Sequence, residues 1–193
     1  MAYKDEEILK KREERKREQY ATLEKGIYMD GKIVRFQRQT IGKGISQSIS
    51  LFLPEIMEEM PEDYARVKYP SQFRPQVIMT TLDLCINMGF TFYPKKLWDG
   101  DGKKGIQGVQ AALQRVYPTF RFYPCEELKE EKGWFFSYRS HALDKDLYNM
   151  SMIMPIKEGI LQGIFNCPLE EEEKWRRIMV MIWNTITETE EEE

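Results

Sequence analysis

Residues 133–167 read GWFFSYRSHALDKDLYNMSMIMPIKEGILQGIFNC. Three segments inside this stretch alternate with period two: Trp134–His141, Leu147–Met154 and Ile160–Asn166. In the first, Trp134, Phe136 and Tyr138 point one way and Ser137, Arg139 and His141 the other. In the second, Tyr148, Met150, Met152 and Met154 oppose Asn149 and Ser151. Strict alternation is the signature of strands with one apolar and one polar face. The connections around Asp144-Lys145 and from Pro155 to Gly159 are short enough for hairpins, so the stretch predicts an antiparallel three-strand meander.

Working outward, Gln76–Thr81 and Leu84–Tyr93 read as two more strands joined at Leu82-Asp83. In the longer one Ile86, Met88, Phe90 and Phe92 share a face opposite Asn87, Gly89 and Thr91. Lys32–Gln37, Ile49–Leu53 before Pro54, and Thr119–Tyr123 have strand character. Glu62–Val67 after Pro61 and Ile106–Tyr117 before Pro118 have helical spacing. Glu170–Glu173 open a final helix, acidic where the dipole favours acid, with Trp175, Ile178, Met179, Ile182 and Ile186 as its stripe. The fold class is therefore α+β: a single antiparallel sheet ending in the meander, with helices packed on its apolar face.

A charged block precedes this domain. Glu6 and Lys10, Glu7 and Lys11, and Glu13 and Arg17 stand at i,i+4 spacing with the acid first, which predicts a helix over residues 4–25. Each pair contributes only a few tenths of a kcal/mol, so contact with the body is expected from Tyr20, Leu23 and Ile27. The expected organisation is a charged helix or extension over residues 1–27, one domain over 28–187 and a disordered acidic tail over 188–193.

The chain has 193 residues, enough for one well-buried domain, and is 41% hydrophobic and 32% charged. Its net charge is -3, but Glu188 and Glu190–Glu193 carry five negative charges, leaving residues 1–187 at +2. This balance lacks the basic footprint of a nucleic-acid binder. No apolar leader and no run of membrane-spanning length occurs, so the expectation is a cytoplasmic protein without membrane insertion. Cys85, Cys125 and Cys167 are odd in number and far apart, which suits reduced thiols.

The order of elements resembles the PsbP and DcrB-like fold, an antiparallel sheet with helices packed on it. The resemblance covers residues 45–187 and rests on two stretches. One is Ile49-Ser50-Leu51-Phe52-Leu53-Pro54 running on to Arg74-Pro75-Gln76-Val77. The other runs from Met154-Pro155 through Ile164-Phe165-Asn166-Cys167-Pro168 to Trp175 and the last helix. The superfamily includes a photosystem subunit, a nuclear-import factor that binds a small GTPase, lipoproteins and chaperones of type VI secretion effectors. The resemblance thus implies binding rather than catalysis, by analogy of shape. No member-specific motif is present, so no functional residue is carried over.

Several chemistries are tested by their ligand patterns. The Gly-Lys in Thr40–Ser46 lacks P-loop spacing, and Asp99-Gly100-Asp101-Gly102 is followed by lysines where a calcium loop needs a ligand and a glycine. One histidine is too few for a transition-metal site. His141 with Asp144 and Asp146 suits turn chemistry better than acid-base work, and no cysteine can be paired with His141 from sequence. No cofactor, metal site or catalytic residue is therefore expected. The remaining lead is the polar side of the sheet, where Asn87, Ser137, Arg139, Asn149, Ser151 and Gln162 would together bind another protein. The alternatives are an enzyme using that face for a small polar ligand, or an oligomeric or assembly subunit using the terminal helices. Dialysis against EDTA with reductant is expected to leave the near-ultraviolet circular dichroism of the four tryptophans unchanged; collapse of the signal would reveal a missed ligand set.

Overall fold

The computed structural model describes residues 2–42, 48–97, 100–141 and 145–189. Among these the elements follow in the order α1 (Ala2–Gln19), β1 (Ala21–Thr22), β2 (Gly26–Met29), β3 (Lys32–Val34), β4 (Phe36–Ile41), β5 (Ile49–Pro54), β6 (Met57–Glu59), α2 (Glu62–Lys68), β7 (Val77–Thr81), β8 (Asn87–Pro94), α3 (Gly102–Val116), β9 (Arg121–Phe122), β10 (Glu126–Glu127), β11 (Trp134–His141), β12 (Asp146–Ile156), β13 (Gly159–Pro168), α4 (Glu172–Asn184) and β14 (Thr187–Glu188). The main sheet runs β10-β11-β12-β13-β8-β7-β6, with β9 sharing the outer edge of β11. All its pairs are antiparallel. The α+β class, the meander β11–β13 and the charged helix at the start are as the sequence reads.

Register decides which residues face the core. Phe135 lies opposite Met152, Met150 opposite Phe165, and Phe165 opposite Met88. These side chains share one face, and two elements cover it. One is a second sheet, ordered β14-β5-β4, which contributes Ile49, Leu51 and Leu53. The other is α4, whose Trp175, Ile178, Met179, Ile182 and Trp183 are all buried. Trp183 meets Phe135 edge-on with centroids 5.9 Å apart, and Trp175 meets Phe165 at 5.8 Å. Fully burying each such side chain contributes roughly 1.5–3 kcal/mol, so this layer dominates the stability. Gly163 makes the close approach possible: a Cβ there would stand 2.8 Å from the Met152 methyl.

Helices cover the other face as well, which corrects the one-sided packing expected from the sequence. There α3 lays Ile106, Val109 and Leu113 on Phe136, Ile153 and Ile160. At the opposite end Ala65 of α2 packs on Ile78. The reason lies in the strands: Ile153 and Ile160 are apolar on the face that Asn149, Ser151 and Gln162 make polar, so that face too must be partly covered.

The charged helix stops at Gln19, earlier than the spacing suggests. Leu23–Lys25 form a three-residue hairpin loop, and Gly26 supplies the left-handed φ of 89° that returns the chain as β2. Tyr20, Leu23 and Ile27 are therefore not a helical stripe, although Leu23 does reach the core. Residues 5–19 of this helix are exposed. At the other end Glu188 pairs in β14 opposite Ile49, and its carboxylate accepts the Lys157 N–H at 2.9 Å. Residues 190–193 of the acidic tail lie outside the described residues, as do residues 43–47, 98–99 and 142–144, on which the rejected P-loop and calcium readings and Asp144 fall.

Two glycines of α3 set up an internal comparison. A Cβ on Gly102 would meet two Trp134 ring carbons at 2.1 and 2.4 Å, whereas one on Gly108 would meet nothing within 4 Å. Gly102→Ala is expected to destabilise by about 1–3 kcal/mol through overpacking. Gly108→Ala should stabilise by about 0.5–1 kcal/mol, because alanine restricts the unfolded chain. Urea unfolding midpoints check both; equal and opposite signs to these would mean that α3 does not seat on Trp134.

Candidate functional site

The six polar residues expected on one face are divided between two. Ser137 lies opposite Met150 and Arg139 opposite Tyr148, on the core side. Asn87, Asn149, Ser151 and Gln162 share the other side, where Asn149 faces Asn166 and Asn166 faces Asn87. The sequence reading paired the parity of Trp134 with that of Met150; the actual register pairs Phe135 with Met152. A one-residue slip in parity exchanges the faces of a whole strand, and it removes Ser137 and Arg139 from the proposed group.

Arg139 works at the rim of the core. Its guanidinium donates to Glu172 at the start of α4, with the closest nitrogen–oxygen distance 2.6 Å, and stacks over Tyr123 at 5.7 Å. The hydrogen bond to Glu172 raises its pKa further above the ordinary arginine value. Beside it Arg176 of α4 grips Glu126 at 2.5 Å, tying the helix to β10. Beneath this pair lies Tyr148, fully buried, with no hydrogen bond of normal geometry at its hydroxyl. Burial pushes its pKa up to about 12 against a smaller opposing pull from Ser137.

Asn87 is a structural hub. Only 1% exposed, it donates to Asn166 at 3.0 Å and to the Leu84 carbonyl at 3.1 Å. Its own oxygen accepts from Thr80 at 2.8 Å and Lys68 at 3.2 Å. Asn166 in turn donates to the Tyr69 hydroxyl at 3.3 Å. Burial lowers the Lys68 pKa and raises that of Tyr69. Asn149 is also engaged, donating to Ser140 at 2.8 Å. An amide whose donors and acceptors are taken inside the fold has little left for a ligand.

What stays open is a strip down the middle of that face. Thr91, Gln162 and Ile164 are half-buried there, between α3 on one side and α2 on the other. Pro75 closes the strip above Gly89, where a Cβ would lie 2.6 Å from the proline ring. On α2 and the loop after it, Tyr64, Val67 and Phe73 are exposed, the last two by 83%. Gln162, Ile164 and Asn166 have the same parity along β13, so the sequence carried the signal for the strip. Of these three, Gln162 alone is among the site residues expected from the sequence.

The remaining candidates for chemistry are separate. His141 meets Asp146 across the hairpin at 2.8 Å, both exposed. The three cysteines are free. Cys167 is buried, and burial pushes its thiol up to about 12; Cys125, also raised by burial, donates to Gln110 at 3.4 Å. Cys85 lies 3.8 Å from the Lys145 amine. Among the described residues no group of three or more His, Cys, Asp or Glu could hold a metal, and no helix is long and apolar enough to cross a membrane.

No protein-family model and no curated protein matches the chain. Solved structures do. Cyanobacterial PsbP (CyanoP) from Synechocystis sp. PCC 6803 superposes with a TM-score of 0.56 at 12% identity, covering 85% of this chain and 98% of that one. LpqN of Mycobacterium tuberculosis, involved in cell envelope biogenesis, gives 0.52 at 15%, with 80% and 92% covered. The Mog1 E65A mutant gives 0.51 at 9%, with 79% and 95% covered. At these identities the likeness is one of fold. The chain has the PsbP, DcrB and Mog1-like fold.

The raised tyrosines predict a response to base. Tyr138 and Tyr148 both have folded pKa values of about 12 against 10.0 for the free side chain, through burial. Between those values the unfolded chain has lost protons that the folded one still holds, so stability falls as pH rises from 10 towards 12. Tyr148→Phe is expected to lessen that fall while changing stability at neutral pH little, since the hydroxyl makes no hydrogen bond of normal geometry. Urea titrations at pH 7 and above 10 check it; an unchanged base sensitivity would show Tyr148 to be hydrated.

Proposed function

We propose that the protein is a non-enzymatic, adaptor-like binding domain that holds another protein on the strip between α2 and α3. The observation that carries this reading is the strip itself. In a sheet otherwise covered on both faces, Thr91, Gln162 and Ile164 are half-buried, and the neighbouring element α2 with the loop after it exposes Tyr64, Val67 and Phe73. Apolar side chains rimmed by amides suit protein recognition, where a small buried anchor supplies most of the energy. The frame shared with PsbP, LpqN and Mog1 is a further support. The three free cysteines suit a reducing compartment such as the cytoplasm.

Ile164→Glu places a charge at the centre of the strip without touching the core layer. Cross-linking and affinity capture from native extract should recover a stoichiometric partner with the wild-type chain and lose it with Ile164→Glu, while the melting temperatures agree within a few degrees. Equal recovery by both chains would remove the strip as the binding surface.

A further inference from the structure

The sheets end differently at their edges. Six edge strands, β1, β3, β6, β9, β10 and β14, have only two or three residues each, whereas β4 has six. Short charged edges are a common protection against pairing with other chains, and β6 carries Glu58 and Glu59. β4 is longer and contains neither proline nor lysine over Phe36–Ile41, and its one charged residue, Arg38, turns back onto its own sheet.

The free side of β4 can be located from its partner. The Phe52 N–H turns away from β4 and donates to the Thr185 hydroxyl at 3.1 Å. Phe52 lies opposite Arg38. In an antiparallel ladder opposed residues either exchange bonds or both turn outward, so the backbone groups of Arg38, and by alternation those of Thr40, point out of the sheet. Their N–H and C=O groups form a short pairing template.

That template borders a cleft of about 710 Å³, which separates β4 from β6 and β7. Gln37 and Gln39 line the β4 side, and Glu55, Glu58 and Glu59 line the other with Gln76. The three carboxylates are exposed and have no ion-pair partner among the described residues. Arg38, the cation of β4, does not serve them; it bonds Ser50 at 3.2 Å and Thr187 at 3.1 Å and lies over Phe52. The cleft is thus a place where an added strand would find main-chain partners on one side and uncompensated negative charge on the other.

We propose that β4 is a docking edge for an extended basic segment of a partner protein, which adds to the sheet as a strand and directs alternate Lys or Arg side chains towards Glu55, Glu58 and Glu59. Main-chain bonds to the Arg38 and Thr40 groups supply affinity, and side-chain spacing supplies selectivity. The carboxylates steer the segment and make its binding sensitive to salt. This surface is separate from the strip around Ile164.

The probe is a fluorescein-labelled heptapeptide of alternating lysine and valine, with an alternating glutamate and valine peptide as control, titrated against the full chain by anisotropy. The basic peptide should bind, weaken with added salt and slow amide exchange at Arg38 and Thr40; the acidic one should not bind. Thr40→Pro removes the outward N–H while leaving the β4–β5 bonds, because proline is tolerated on an edge, and should weaken binding by about tenfold or more. The double variant Glu58→Gln, Glu59→Gln keeps shape and should weaken it similarly, which serves if Thr40→Pro fails to fold. Ile164→Glu should bind the peptide as the wild type does. Absence of binding, equal binding of both peptides, unchanged affinity in the variants that fold, or a β4-mediated dimer in sedimentation that excludes the peptide would each overturn the proposal.

Discussion

The structure depends on the pairing of β12 with β13, which runs through ten opposed residues from Leu147 to Ile156. These strands are central, and both of their faces are used. Met150, Met152 and Met154 meet α4 and the second sheet on one side, while Ile153 and Ile160 meet α3 on the other. A strand with two occupied faces cannot slip, since every side chain would exchange one environment for the other. Gly163 shows how narrow the tolerance is: it lies opposite Met152, with the Trp183 indole directly above.

Two-sided cover also explains the fate of the polar residues. An amide left unpaired under a helix costs about 1–3 kcal/mol, so polar positions at covered places acquire internal partners. Asn87 bonds Thr80, Asn166, Lys68 and Leu84; Arg139 bonds Glu172. These networks hold β7, β8, β13 and α4 together. The same polarity left uncovered, at Gln162 and Thr91, is where the surface remains available.

The two layers are joined at one end and parted at the other. α4 and β14 close the sandwich near Trp183 and Ile186, with β14 returning to pair with β5. At the far side β4 and β6 stand apart across a cleft with three glutamates on its wall. Among the described residues, the open edge of β4 and the strip between α2 and α3 are where the cover of the sheets stops.

Much of this was legible in the sequence. The alternation in Trp134–His141 names a strand that the structure reproduces end to end, the stripe from Trp175 to Ile182 names the helix that covers the core, and two prolines mark the ends of β5 and α3. Such signals are local: a period of two or of 3.6 is written in neighbouring residues. Parity between strands is not local. Phe135 and Phe136 are adjacent and both buried, so alternation within β11 is equally consistent with either face meeting the methionines of β12. Only the ladder, with Phe135 opposite Met152, selects one, and that choice placed Arg139 beside Glu172 on the core side and left Gln162 and Ile164 on the open strip. The sequence alone determined the meander and the main helices; the tertiary structure added the short edge strands and decided which faces coincide, because both are set by contacts between residues that are distant along the chain.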